Sequence, residues 1–232
     1  MRHALLALAL AAAAAPASAS SLTSTFTVAS DYLFDGVSQT QNDPALQASL
    51  DWSHDSGFFL GTWASNVDFA PGDPANVEID LYGGYSTTYD SGWGWITGVY
   101  HYSYTGAPSS YDYTELSAGL TFPTTTTLQL WVADDDAVLG GEAWRLKAKH
   151  SFALPNDFSL DLEATRTEYD GTLLDDYTHG QIGVSREFGA FKAYLGYSDT
   201  SLADDARVAG NGDSVADGRI LLTLSGTVTW FE

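Results

Sequence analysis

Leu22-Thr23-Ser24-Thr25-Phe26-Thr27-Val28-Ala29-Ser30-Asp31-Tyr32-Leu33-Phe34 is the stretch whose reading decides the fold. Leu22, Phe26, Val28, Tyr32 and Phe34 fall on its even positions. Thr23, Thr25, Thr27 and Asp31 fall on its odd ones. Successive side chains of an extended chain point to opposite faces, so a period of two means a strand between two different surroundings.

The same rhythm returns along the chain. Leu46, Ala48, Leu50 and Trp52 alternate with Gln47, Ser49 and Asp51. Val77, Ile79 and Leu81 alternate with Glu78 and Asp80. Leu116, Ala118 and Leu120 alternate with Glu115 and Ser117, and Trp144, Leu146 and Ala148 with Arg145, Lys147 and Lys149. Phe158, Leu160 and Leu162 alternate with Ser159, Asp161 and Glu163, and Ile220 to Trp230 close the series. Less regular runs fit Phe59 to Phe69, Gly92 to Thr105, Leu128 to Asp134, Tyr177 to Phe188 and Phe191 to Asp199. The expected count is twelve strands, the first spanning Leu22 to Phe34. Their length suits the roughly 9–11 residues a tilted strand needs to cross a bilayer.

The links alternate as well. His54 to Gly57, Asp90 to Gly92, Pro123 to Thr126, Leu154 to Asp157 and Glu187 to Ala190 are short. Asp35 to Pro44, Ala70 to Asn76, Gly106 to Ser110, Asp134 to Gly141, Asp170 to Asp176 and Thr200 to Asp217 are longer. Short periplasmic turns and longer external loops characterise outer-membrane barrels. An even strand count places both termini at the short-turn end. The fold class read from this is all-β: an antiparallel up-and-down transmembrane β-barrel. Aromatics beside the short turns (Trp52, Phe58, Trp93, Phe152, Phe191, Trp230) and near the long loops (Phe34, Phe69, Tyr104, Tyr113, Tyr169) are expected to form two interfacial belts.

The first residues read as a leader. Arg2 and His3 precede an apolar run from Ala4 to Ala15, and Ala17-Ser18-Ala19 is a small-x-small cleavage site. Residues 1–19 are thus expected to be a cleaved signal peptide and 20–232 the barrel, in the outer membrane of a Gram-negative bacterium. The 232-residue chain has 30 acidic and 9 basic residues, a formal net charge of −21, and −22 once Arg2 leaves. Phosphate binding needs clustered Lys and Arg, so nucleic acid is excluded as a partner. The absence of cysteine excludes disulfides, thiol catalysis and thiolate metal sites.

The first strands resemble the TorF-type porins, a proteobacterial outer-membrane family formerly of unknown function. The resemblance rests on Ser30-Asp31-Tyr32-Leu33-Phe34-Asp35-Gly36-Val37-Ser38-Gln39-Thr40, on Pro44-Ala45-Leu46-Gln47, on Gly57 to Phe69, and on Glu78-Ile79-Asp80 with Tyr82-Gly83-Gly84-Tyr85. It covers about the first third of the mature chain. It implies an outer-membrane barrel. The family pattern carries Arg where this chain has Asp35, a reversal of charge at the start of the first long loop.

If the apolar positions face lipid, the pore lining consists of Asp31, Asp51, Glu78, Asp80, Glu115, Arg145, Lys147, Lys149, Asp161 and Glu163, with Gln47 beside them. Arg145, Lys147 and Lys149 share one face of one strand. Asp161 and Glu163 answer them from the next, giving a transverse field across the lumen. The expected function is a narrow passive channel for small solutes or ions, in contact with outer-membrane lipids and lipopolysaccharide. The alternatives are a closed structural or adhesive barrel with acidic loops, a lipid-acting barrel enzyme, and a soluble periplasmic β protein. No catalytic residue, metal site or cofactor is expected. His101 and Ser103 share a strand face, yet no nucleophile elbow surrounds any Ser. Asp134-Asp135-Asp136 lacks the spaced ligands of a calcium loop.

Overall fold

The computed structural model describes residues 19–136, 141–170, 175–203 and 212–232. The leader up to residue 18 and Asp204-Asp205 lie outside the described residues, as do the side chains of Asp134-Asp135-Asp136. Strand β1 (Ser20–Ala29) is followed by a small hairpin of β2 (Leu33–Phe34) and β3 (Val37–Ser38). Then come β4 (Ala45–His54), β5 (Phe58–Asn66), β6 (Val77–Thr88), β7 (Gly94–Thr105), β8 (Tyr113–Thr121) and β9 (Thr126–Asp136). The series ends with β10 (Gly141–Ala153), β11 (Phe158–Tyr169), β12 (Tyr177–Phe188), β13 (Phe191–Thr200) and β14 (Arg219–Phe231).

All strands but β2 and β3 form one closed antiparallel barrel of twelve. Each pairs with its neighbour along the chain, and β1 closes the ring by pairing with both β4 and β14. Closure leaves no sheet edge and satisfies the backbone within the barrel, the condition for strands to lie in lipid. Ser20 pairs with His54 and Leu22 with Phe231, so both chain ends stand at the short-turn end.

The polarity is inverted relative to a soluble protein. Leu46 is 69% exposed, and Leu60, Leu81, Leu116 and Ile220 also point outward. Glu78 is 1% exposed, and Glu115 and Arg145 are buried inside. An apolar exterior around a charged interior suits a barrel whose solvent is hydrocarbon. Glycine on the inner wall lets large inward rings lie against it. A Cβ on Gly61 would collide with the Tyr82 ring.

Two expectations need correcting. The first strand does not continue to Phe34. It stops at Ala29, and the chain turns inward so that β2 and β3 enter the barrel. The alternation of Ser30 to Phe34 reflects a hairpin with one face on the barrel wall, not a lipid-facing strand. The belt near the long loops is likewise not a lipid belt. Tyr102 stacks on Tyr113 inside, with ring centroids 4.4 Å apart. Phe34 lies under Arg145, and Tyr169 packs on an inner cluster of Val37, Tyr177, Val215 and Ala216. These rings are drawn inward because the hairpin supplies apolar surface there. Outward aromatics do ring the short-turn end: Phe58, Tyr89, Trp93, Phe152, Phe188, Phe191 and Trp230 are all exposed.

Candidate functional site inside the barrel

The site is built around a two-residue turn. Asp35 (φ 47°) and Gly36 (φ 86°) connect β2 to β3. Two consecutive positive φ values make a type I′ turn, whose twist matches that of the paired strands and for which Asp-Gly is a preferred pair. The tip points into the lumen. A Cβ on Gly36 would stand 2.6 Å from His179 and from Thr200, so only glycine lets the tip seat against β12 and β13. Ser38 donates its amide to Val215 O at 2.7 Å, and Asp68 donates its own to Gln39 O at 2.8 Å. The first long loop thus lies folded into the mouth of the barrel.

Asp35 meets the basic ladder of β10. Its carboxylate pairs with Arg145 at 2.6 Å and with Lys147 at 2.6 Å, and its side chain is fully buried. Arg145 also binds Glu115 of β8 at 2.5 Å, and its guanidinium lies 4.4 Å from the Phe34 ring centre and 5.1 Å from that of Trp131. Tyr102 donates to Glu115 at 2.7 Å. Lys147 continues to Glu163 of β11 at 2.9 Å, and Lys149 reaches Glu163 from the next rung at 2.9 Å. Burial alone would raise the Asp35 pKa. The Arg145 and Lys147 charges outweigh it and hold the carboxyl well below the ordinary carboxylate range.

The other expected lining residues spread around the wall. Asp31 lies beyond the end of β1 and is buried. It pairs with Arg219 at 2.8 Å and accepts from Ser38 at 2.6 Å and Thr40 at 2.9 Å. Asp51 accepts from Tyr82 and from Ser49. Asp161 does not join the ladder; Ser151 and Ser185 each donate to it at 2.6 Å. Glu78 accepts from Tyr32 at 3.2 Å, and Asp80 sits beside it on β6. Burial and the Glu78 charge push the Tyr32 phenol well above its usual pKa. Gln47 faces inward on β4, where β1, β4 and β14 also present Thr23, Thr25, Thr27, Ser49 and Thr223, a wall of small hydroxyls.

The transverse field expected of a free basic ladder is therefore largely cancelled. Sequence reasoning missed Asp35 as the cancelling charge, and missed His179 and Trp131 as its neighbours. The Asp35-Gly36 pair between Leu33-Phe34 and Val37-Ser38 was the available signal for a hairpin. Access to the ladder is graded. The side chains of Arg145, Lys147 and Lys149 are 7%, 15% and 56% exposed in turn. The ladder is closed off under the hairpin and becomes accessible toward the short-turn end.

Asp35, Glu163 and His179 bring potential metal ligands within 4.8 Å of one another. Lys147 Nζ already bonds to Asp35 and Glu163, so an ammonium takes the cation's place there. His101 and Ser103 lie on the wall away from this network. Ser103 donates to Ile79 O at 2.8 Å, and His101 pairs with Thr114 at 3.0 Å.

Solved barrels share the architecture. A KdgM porin superposes with a TM-score of 0.56 at 10% identity, covering 88% of this chain and 98% of its own. The same porin in complex with disordered oligogalacturonate gives 0.54 at 10% identity, covering 89% and 98%. A NanC porin gives 0.55 at 12% identity, covering 88% and 98%. At such identities the likeness is one of fold. No curated protein matches the chain. The family described as "Bacterial protein of unknown function (Gcw_chp)" matches residues 13–228, nearly the whole chain, and the protein belongs to that family.

Proposed function

We propose that this protein is an outer-membrane porin of the TorF type, passing small hydrophilic solutes or ions through a lumen narrowed by its first loop. The observation that carries the reading is the inverted polarity: an apolar exterior surrounds a closed ring of strands with Glu78, Glu115 and Arg145 inside. A lipid-facing outer wall implies export behind the leader, with lipopolysaccharide around the long loops.

The inner charge supports cations over anions. Eight carboxylates face or enter the lumen: Asp31, Asp35, Asp51, Glu78, Asp80, Glu115, Asp161 and Glu163. They stand against Arg145, Lys147, Lys149 and Arg219, with Lys192 at the short-turn rim. Because Arg145, Lys147 and Lys149 are each already ion-paired, a binding track for acidic sugars is not the class proposed here. The path runs along the hydroxyl wall of β1, β4 and β14, opposite the ladder.

A second reading, a barrel that does not conduct, is favoured by the hairpin lodged in its mouth. One set of measurements separates the two. The protein should fractionate with outer membranes, migrate differently on gels before and after boiling, and give discrete conductance steps in a planar bilayer. A heat-modifiable membrane protein that shows no steps, either as wild type or with residues 31–42 shortened to a plain turn, belongs to the second reading. Recovery in the soluble periplasm would sink both.

A further inference from the structure

We propose that Glu78 and Asp80 hold a divalent cation of the calcium class on the inner wall of the barrel. The two residues are two apart on β6, so both side chains stand on the same face, with about 7 Å of strand between their Cα atoms. Glu78 is 1% exposed and Asp80 9%. Asp80 is flanked across the sheet by Trp63 on β5 and Tyr102 on β7. Tyr32, from the inward loop, covers the pair. It donates to Glu78 Oε1 at 3.2 Å, and its ring packs edge-on against Trp63 at 5.2 Å.

The two carboxyl groups hydrogen-bond each other, but no cation answers the charge that remains. Among the described residues, no ion pair reaches either carboxylate. Arg145 pairs with Asp35 and Glu115, Lys147 with Asp35 and Glu163, and Arg219 with Asp31. Asp80 Oδ1 is covered and has no hydrogen-bond partner. Buried carboxylates are strongly disfavoured without a counter-charge, and two neighbours more so. A proton shared between them would remove only one charge and leave Asp80 Oδ1 still unmatched. A divalent ion answers both charges and that oxygen. Two carboxylates and the Tyr32 phenol are all hard oxygen donors, a set that suits calcium or magnesium better than softer transition metals. The flexible coordination of calcium makes it the better match of the two.

The test uses the full barrel refolded in detergent and stripped with chelator. Calcium chloride should raise the unfolding midpoint of the wild type by roughly 5–10 °C at a hundredfold excess over Kd. E78Q/D80N should lose that rise, while an Asp175→Asn/Asp176→Asn loop variant should keep it. Terbium luminescence, excited through aromatic side chains and competed by calcium, gives a second readout. W63F should dim it without abolishing the calcium-dependent rise in midpoint. If the double variant does not fold, D80N alone should weaken calcium binding at least about tenfold, a loss of about one hydrogen-bonded charge contact. The absence of any calcium response in the wild type would overturn the site. So would a response that E78Q/D80N or D80N leaves unchanged.

Discussion

Asp35 is one carboxylate shared by two cations of the same strand, and its contacts cross 110 residues of chain. Taking one partner from a buried ion pair generally costs about 3–5 kcal/mol, because the other charge is stranded. The cost should be lower here, since Arg145 keeps Glu115 and Lys147 keeps Glu163. Asp35→Asn should therefore leave the barrel folded while giving the lumen one more uncompensated positive charge. Reversal potentials in a KCl gradient should show the cation preference weakened, most visibly at low salt, where exposed charge is least screened. An unchanged potential would mean that Asp35 lies off the conducting path. Acid offers a second check. The folded-state pKa of Asp35 is depressed. Its contribution to docking the hairpin is thus complete above the unfolded value of about 3.9 and is lost only as pH falls through the lower folded value. Conductance should hold steady from about pH 7 to about pH 5 as far as this contact is concerned. Hairpin release at pH 5, seen as hydrogen exchange at the Val37 and Ser38 amides, would contradict the ion-pair assignment.

The hairpin of β2 and β3 depends on Gly36 for two separate reasons: its φ of 86°, and its approach to His179 and Thr200. Gly36→Val should therefore disturb it more than Gly36→Ala. The strained backbone alone costs about 1–3 kcal/mol. Either change should raise hydrogen exchange in residues 33–38 while leaving the protection of β4 to β14 intact. If conduction is limited by the hairpin, the same variants should also enlarge the conductance step. The barrel strands were legible in the sequence because lipid on one side and charge on the other impose a strict period of two. Tyr177 to Phe188, for example, is both the expected and the observed strand. The hairpin was not legible by that rule. Its alternation continues that of β1 without a break, since a strand laid against an inner wall also has two unlike faces. Only the Asp-Gly turn marked it. The basic ladder was legible as a shared face on β10, but its neutralisation was not, because Asp35 lies 110 residues from Arg145 and reaches it only through the inward fold of the loop.

At the scale of the whole molecule, the twelve strands present one continuous apolar outer surface, while the interior changes along the barrel axis. Near the long loops it is filled by the hairpin, by the inward tyrosines of β7 and β8, and by the cluster of Val37, Tyr177, Val215 and Ala216. Toward the short turns the ladder itself is freer: the side chain of Lys149 is 56% exposed, although the Phe59, Tyr82 and Tyr194 rings also turn inward there. A channel of this form should be reached more easily from its short-turn mouth than from its loop mouth. Single cysteines in this naturally cysteine-free chain measure that directly. Cysteine at Leu50 or Leu160 should react only with lipid-soluble reagents, because both point outward from their strands. Cysteine at Lys149 should react with a small charged thiol reagent added on the short-turn side, faster than cysteine at Lys147, and cysteine at Arg145 should react slowest. Adding Gly36→Val should speed labelling at 145 and 147 and leave 149 nearly unchanged, because only the first two lie beneath the hairpin. Equal rates at all three rungs would show that the hairpin does not close the loop end. The opposite order would mean that the wider half of the lumen faces the long loops, and that solute enters past the hairpin before it meets the ladder.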